Sequence, residues 1–479
     1  MTFITKNSTV YLMTVLQSFK TKFIGDRDFY KRVLMITIPI MIQSGITNFV
    51  NFLDNIMVGR LGTEPMSGVA IVNQLIFVFF LCIFGGMAGA GLFTAQYYGK
   101  KDHEGIRYTF RYKLMLGFVL VCTALAVYLI FGDALIGLYL KGSNDGGDIA
   151  GTFAYAKDYL LIILTTLPAI ALGQIYSNTL RECSQTIVPM KAGLVAILIN
   201  LTLNYLLIYG KLGFPMMGVK GAALATVISR YAEVLIVVLW AHTKKDRCPY
   251  LVGVYKSLYV PLTVVKKIFI TGMPLLVNET LWSSGIAILA QCYSMRGLNA
   301  VAAYEILGVI SNVFNVIFFS MGDAIAIIVG QHLGAGNLKK AREDDNRIIA
   351  LAIFIAIGVA LVIAGASKYF PLLYNTNENA RALATQFLLA QAFFTPQIAF
   401  LHTTYFTLRS GGRTVITFLF DSFYMWVVCV PLAYCLSRYT NLYVIWIYCL
   451  LQMSDWIKCV IGFILVKNGS WMQNIVKNT

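Results

Sequence analysis

Twelve apolar runs, each about 20 residues long, recur along this chain and constrain its fold more than any other feature. Their approximate bounds are 34–58, 68–93, 114–136, 158–178, 192–209 and 221–241 in the first half. In the second half they are 268–293, 302–328, 348–366, 383–406, 415–436 and 442–466. A run of that length crosses a hydrocarbon core of roughly 30 Å as a helix, which satisfies its own backbone polar groups. Only 13% of the residues are charged, against roughly 25% in a soluble domain, so water is not the main solvent. The expected fold class is an all-α polytopic membrane protein with twelve transmembrane helices.

The formal net charge of +16 invites a nucleic-acid reading, which the placement of the basic residues removes. With the N-terminus inside, 27 of the 38 lysines and arginines fall in inside segments and 9 in outside loops, leaving Arg230 and Lys458 within spans. That bias puts both termini in the cytoplasm and makes the chain a multi-pass protein of the cytoplasmic (inner) membrane. Lipid is an expected partner and nucleic acid is not. Segment 1–33 carries Lys6, Lys20, Lys22, Arg27, Lys31 and Arg32 but no signal-peptide core, so the first span is the insertion signal. The nine cysteines are scattered without a CxxC pair and read as small packing residues.

The twelve runs are two copies of six. A shift of 235 residues carries Pro39 onto Pro274, Gly62 onto Gly297, Gln96 onto Gln331, Gly99 onto Gly334 and Arg107 onto Arg342. After the third span the shift becomes 228, where Pro168 meets Pro396 and Leu180-Arg181 meets Leu408-Arg409. Six spans per copy make the repeats parallel, an organisation used by transporters whose substrate lies between the halves. The expected layout is a cytoplasmic segment 1–33, a six-helix bundle 34–241, a solvated linker 242–267, a second bundle 268–466 and a cytoplasmic tail 467–479, with the two bundles pseudo-symmetric. A monomer is expected.

Polar side chains inside spans are costly and are functional candidates by default. Gln43, Thr47, Asn51 and Asp54 share one arc of the first span, which makes that face wet. A carboxylate at that depth favours ion or proton binding over a merely structural seam, and sodium at Asp54 is the one metal considered. Asn200 and Asn204 share a face of the fifth span, and Thr226 offers another oxygen in the sixth; they suit a cation network or plain interhelical hydrogen bonding. Glu279 in the seventh span can face a cationic substrate, and Gln43 and Asn51 are expected to help bind it. Arg230 with Glu233, and Asp455 with Lys458, have the i,i+3 spacing of an intrahelical ion pair. Asp323 and Asp421 are expected to be solvated at cytoplasmic ends, and His402 is a lone histidine.

No GxxxxGK[ST] loop and no HExxH pair occurs, so no built-in ATPase and no cofactor is expected and the leading expectation is not an enzyme. An ion gradient is the remaining energy source, and a carboxylate loaded on one side and discharged on the other is the natural device for tapping it.

The stretch Asn51-Phe-Leu-Asp54-Asn-Ile-Met-Val-Gly59-Arg-Leu-Gly62 resembles the first-helix motif of the multidrug and toxic compound extrusion (MATE) family. Gly330-Gln331-His-Leu-Gly334-Ala-Gly336-Asn337 and Asn200-Leu-Thr-Leu-Asn204 resemble two further motifs, in order, and the similarity runs from about Tyr30 to Val466. The resemblance implies an antiporter that exports organic cations and drugs by alternating access while admitting protons or sodium. It further implies that Asp54, Asn200, Asn204 and Thr226 form the coupling site, with Glu279 its counterpart in the second half. Three positions depart from the family pattern. No acid follows Pro396 in the tenth span, Asn204 stands where some members carry aspartate, and Ala302-Ala-Tyr-Glu305 replaces Ala-Ala-His-Gln. The alternatives are a flippase for a lipid-linked saccharide from the same superfamily, and a membrane-embedded enzyme or channel.

Overall fold

The computed structural model describes residues 22–140, 148–374 and 376–477, apart from the side chains of residues 51 and 52. Among the described residues twelve long helices follow one another. They are α1 Arg27–Gly59, α2 Thr63–Lys100, α3 His103–Leu140, α4 Ile149–Glu182, α5 Ile187–Tyr209 and α6 Val219–Thr243, then α7 Leu262–Ser294, α8 Leu298–Gly334, α9 Leu338–Ala366, α10 Glu378–Ser410, α11 Thr414–Tyr439 and α12 Val444–Asn468. Most extend past the apolar runs by several residues at one end or both, because polar first and last turns continue the helix. Pro39, Pro274 and Pro396 lie inside unbroken helices, whereas α4 passes through a 3₁₀ turn at Leu164–Thr166 just before Pro168.

Eleven of the twelve are long and apolar enough to cross a membrane, and α10 is the exception. Its buried face carries Gln391, Thr395, Gln397, Thr403, Thr404 and Thr407, which lowers its hydropathy. Apart from the Thr404 hydroxyl, which is buried without a hydrogen-bond partner among the described residues, these groups find partners inside the protein. Thr395 and Thr403 donate back to Gln391 O and Ala399 O, Gln397 donates to Gln452 O at 2.7 Å, and Gln391 bonds the Tyr448 hydroxyl. A polar helix is tolerated at membrane depth when protein surrounds it.

The repeat is written in the backbone as well as in the sequence. Left-handed residues occur at Gly62 and Gly297, at Lys101 and Gly336, and at Ser184 and Gly412, all equivalent pairs under the two shifts. The turns between helices were therefore copied with the helices.

The helices gather into two compact units. One comprises Pro39–Thr94 with Asp102–Leu276; the other comprises Ala95–Lys101 and Val277–Thr479 together with the chain up to Ile38. α1 and α7 thus contribute to both units, and each changes unit within three residues of its equivalent proline, Pro39 or Pro274.

The linker, expected to be solvated, is packed, and so is the described part of the tail. In the linker, Cys248, Tyr250, Leu251 and Val254 are buried. Arg107 Nε donates to Tyr250 O at 3.2 Å and Arg111 Nε to Val254 O at 2.9 Å, so the basic end of α3 satisfies linker carbonyls. Tyr176 adds hydrogen bonds to Tyr255 and His242. In the tail, Trp471 and Val476 are fully buried, and the tail's carbonyls accept from Gln96 and Lys100. Basic and amide side chains at helix ends drew both segments inward because a carbonyl partner is better than a bare helix end.

Candidate functional site

α1, α5 and α6 bring together four of the polar residues predicted to act jointly. Asn200 and Asn204 stand one turn apart on α5, so both present amides to the same neighbours. Asn204 Nδ2 donates to Asp54 Oδ1 at 2.6 Å and to Asn200 Oδ1 at 3.1 Å. Asn200 Nδ2 in turn donates to Thr226 Oγ1 at 3.4 Å, and the threonine hydroxyl donates to Ala222 O at 3.1 Å. Both asparagines are buried, while Asp54 and Thr226 are half-buried. Asn204 Oδ1 is buried with no hydrogen-bond partner among the described residues. The oxygens on offer are one carboxylate, two amide carbonyls and one hydroxyl. That is a hard donor set able to take a proton or a hard cation such as sodium.

The rest of the first-span face divides. Thr47 turns its hydroxyl back onto Gln43 O at 2.8 Å, a satisfied intrahelical bond. The Gln43 side chain accepts from Arg181 Nη2 at 2.6 Å and lines a small open cavity of ≈ 40 Å³. Arg230 and Glu233, spaced for an ion pair, make one at 3.0 Å and line the same cavity. The Asn51 side chain lies outside the described residues.

In the second half Glu279 accepts from the Tyr405 hydroxyl at 3.0 Å. Its neighbour Asn278 is almost wholly buried and donates to Tyr405 Oη at 3.3 Å and Asp421 Oδ2 at 3.1 Å. Asp421 Oδ1 then meets Lys458 Nζ at 2.8 Å. Two expectations are corrected here. Asp421 is not solvated, since its side chain is 16% exposed and doubly partnered. Lys458 pairs with Asp421 on α11 rather than with Asp455 three residues before it, and Asp455 instead lies 3.9 Å from Cys429 Sγ. Asp421 sits in the first of two π-helical turns, Leu419–Phe423 and Met425–Cys429, which shift the residues of α11 off a regular helical face. Neutralising that enclosed carboxylate gains more than pairing within one helix, because a charge left buried without a partner is strongly destabilising.

Asp323 is half-buried, Glu305 is exposed, and His402 packs its ring, tilted by 59°, with the centroid 4.7 Å from that of Phe319. Sequence reasoning did not find Tyr405, Asn278 or the pairing role of Asp421. One signal was available: Lys458 is one of only two basic residues inside spans, so it required a carboxylate within reach.

A sequence model of the MatE family matches residues 39–206 and again 274–435, two stretches that begin at the equivalent prolines Pro39 and Pro274. Multidrug resistance protein MdtK of Pectobacterium atrosepticum is 26% identical over 411 residues, covering 85% of this chain and 87% of that one. Multidrug resistance protein NorM of Photobacterium profundum is 24% identical over 452 residues, covering 93% and 92%. The crystal structure of MATE in the bent conformation superposes with a TM-score of 0.83 at 22% identity, covering 94% of this chain and 96% of that one. Matched in both halves by one family model, and sharing a MATE fold nearly end to end, this protein is a membrane transporter of the MatE family.

Proposed function

We propose that the protein is a proton- or sodium-coupled antiporter that exports organic cations and drugs across the cytoplasmic membrane by alternating access. The observation that carries this reading is the chain Asp54–Asn204–Asn200–Thr226, which ends on a half-buried carboxylate and leaves the Asn204 carbonyl oxygen without a partner. An ionised carboxylate only accepts hydrogen bonds, so the amide of Asn204 must turn its NH₂ to Asp54, as it does. Once protonated, Asp54 becomes a donor, and rotation of the same amide brings its free carbonyl to meet it. The network therefore has two arrangements selected by one proton, and a sodium ion among the same oxygens would select in the same way. Relatives bearing the description multidrug resistance protein support small organic molecules as the exported substrate. In this reading Glu279, with Asn51 and Gln43, attracts the cationic substrate. The working protein is a monomer with both termini in the cytoplasm, built from bundles 34–241 and 268–466.

Expression in an efflux-deficient bacterium, with ethidium extrusion followed by fluorescence, tests the reading. Asp54→Asn is expected to abolish extrusion, and extrusion at the unsubstituted rate would remove Asp54 from the mechanism. In proteoliposomes, a pH gradient and a sodium gradient imposed separately identify the coupling ion; uptake that ignores both sinks the antiporter.

A further inference from the structure

Arg409 is a buried guanidinium that the network around Glu279 leaves over. It is 8% exposed, lies 5.4 Å from the centroid of the Phe406 ring in a cation–π contact, and its Nε and Nη1 have no hydrogen-bond partner among the described residues. The repeat explains why. Under the two shifts Arg409 is the equivalent of Arg181 and Asn278 the equivalent of Gln43. In the first half Arg181 Nη2 donates to Gln43 Oε1 at 2.6 Å. In the second half the matching carbonyl, Asn278 Oδ1, accepts instead from the Ser422 backbone N–H at 3.2 Å, while the Asn278 amide donates to Tyr405 and Asp421. Gln43 is followed by Ser44, whereas Asn278 is followed by Glu279. A carboxylate thus stands beside the amide that Arg409 has lost.

Tyr405 and Arg409 stand one turn apart on α10 and share a face. Tyr405 donates to Glu279 Oε1 at 3.0 Å. Arg409 acts on the same carboxylate through its charge, although no hydrogen bond joins the two among the described residues. Asp421 also acts on Glu279, but Lys458 already pairs with it at 2.8 Å. A buried charge without a partner is strongly destabilising, which gives the Arg409 guanidinium a standing drive toward an acid in reach. A carboxylate accepts at both oxygens, so Glu279 can keep Tyr405 and take a second, charged donor. We propose that Arg409 competes with the cationic substrate for Glu279 and is the residue that sets how tightly the second half holds a cation. Guanidinium and ligand share one carboxylate, so each weakens the hold of the other, and an exporter must be able to let its substrate go. The inference deepens the proposed substrate role of Glu279 and rests on it.

Ethidium binding to the full chain in phosphatidylcholine nanodiscs, read by fluorescence anisotropy, tests this without transport. Arg409→Gln is expected to tighten binding about tenfold, the scale of one charge-assisted hydrogen bond, and misfolding cannot produce such a gain. Arg409→Lys, which keeps the charge, should give back most of the competition. The double variant Glu279→Gln/Arg409→Gln should bind no better than Glu279→Gln alone. Tyr405→Phe keeps every charge and frees the carboxylate for Arg409, so it should weaken binding about threefold; this arm stands even if Arg409→Gln is not recovered folded. Unchanged or weaker binding by folded Arg409→Gln overturns the proposal. So does a gain that Arg409→Lys reproduces in full or that persists without Glu279, or equal or tighter binding by Tyr405→Phe. If Glu279→Gln binds ethidium as well as the unsubstituted protein, the substrate role of Glu279 falls and this inference with it. If Glu279→Gln binds more weakly while Arg409→Gln shows no gain, this inference falls alone.

Discussion

Gly99 and Gly334 hold the same place in the two repeats, and each lies against the backbone carbonyl of the glutamine three residues before the other. A Cβ added to Gly99 would overlap the carbonyl of Gln331, and one added to Gly334 would overlap that of Gln96. The ends of α2 and α8 therefore approach as closely as two backbones can, and only glycine permits it. Gly99→Ala or Gly334→Ala is expected to force the helices apart at a cost of about 1–3 kcal/mol, the usual penalty for overpacking. Thermal unfolding in detergent measures it, and an unchanged midpoint in both variants would contradict the crossing.

Lys101 and Ser184 adopt left-handed backbone, with φ of 61° and 62°, at positions where the other repeat has Gly336 and Gly412. A side chain there costs roughly 1–2 kcal/mol. Lys101→Gly and Ser184→Gly should raise the unfolding midpoint. Gly336→Ala should lower it through backbone strain alone, since nothing lies within 4 Å of the added Cβ. Opposite signs in the two halves are the readout.

The chain after α12 is a structural element. Trp471 is fully buried, its indole donates to Val466 O at 3.1 Å, and the backbone of Ile475 donates to Gln96 Oε1 at 2.9 Å. Asn474 reaches Gly334 O at 3.1 Å. Trp471→Ala should destabilise the protein by about 3–5 kcal/mol. Truncation after Asn468 should do at least as much, and limited proteolysis is expected to cut the truncated form faster in the turns next to Gly334 and Gly411.

The Asp421–Lys458 pair predicts a non-additive series. Lys458→Met or Asp421→Asn alone leaves a buried charge unpartnered, at a cost of about 3–5 kcal/mol. The double variant should recover most of the loss. A thermal double-mutant cycle checks this, and simple additivity would mean that the two groups do not depend on each other.

The architecture was legible before any coordinates. Apolar run length decides how many helices cross a bilayer, basic residues mark the loops, and matching prolines and glycines expose the repeat, because each is a property of residues near one another in sequence. Even the Asp54 network was half visible: the i,i+4 spacing of Asn200 and Asn204 puts both on one face whatever that face meets. What the sequence could not supply was the identity of partners across helices. Lys458 had two acids at plausible reach, and local spacing favoured Asp455; the π-helical turns of α11 and the amide of Asn278 decided for Asp421. Arg181 read as one more cytoplasmic-loop arginine until α1 and α6 placed Gln43, Arg230 and Glu233 beside it. The linker looked solvated because its composition is polar, yet its backbone carbonyls, which composition does not count, accept from Arg107 and Arg111 and hold it against α3. Charge pairing and cavity polarity depend on side chains from four or five separate helices, and only tertiary packing fixes which of them meet.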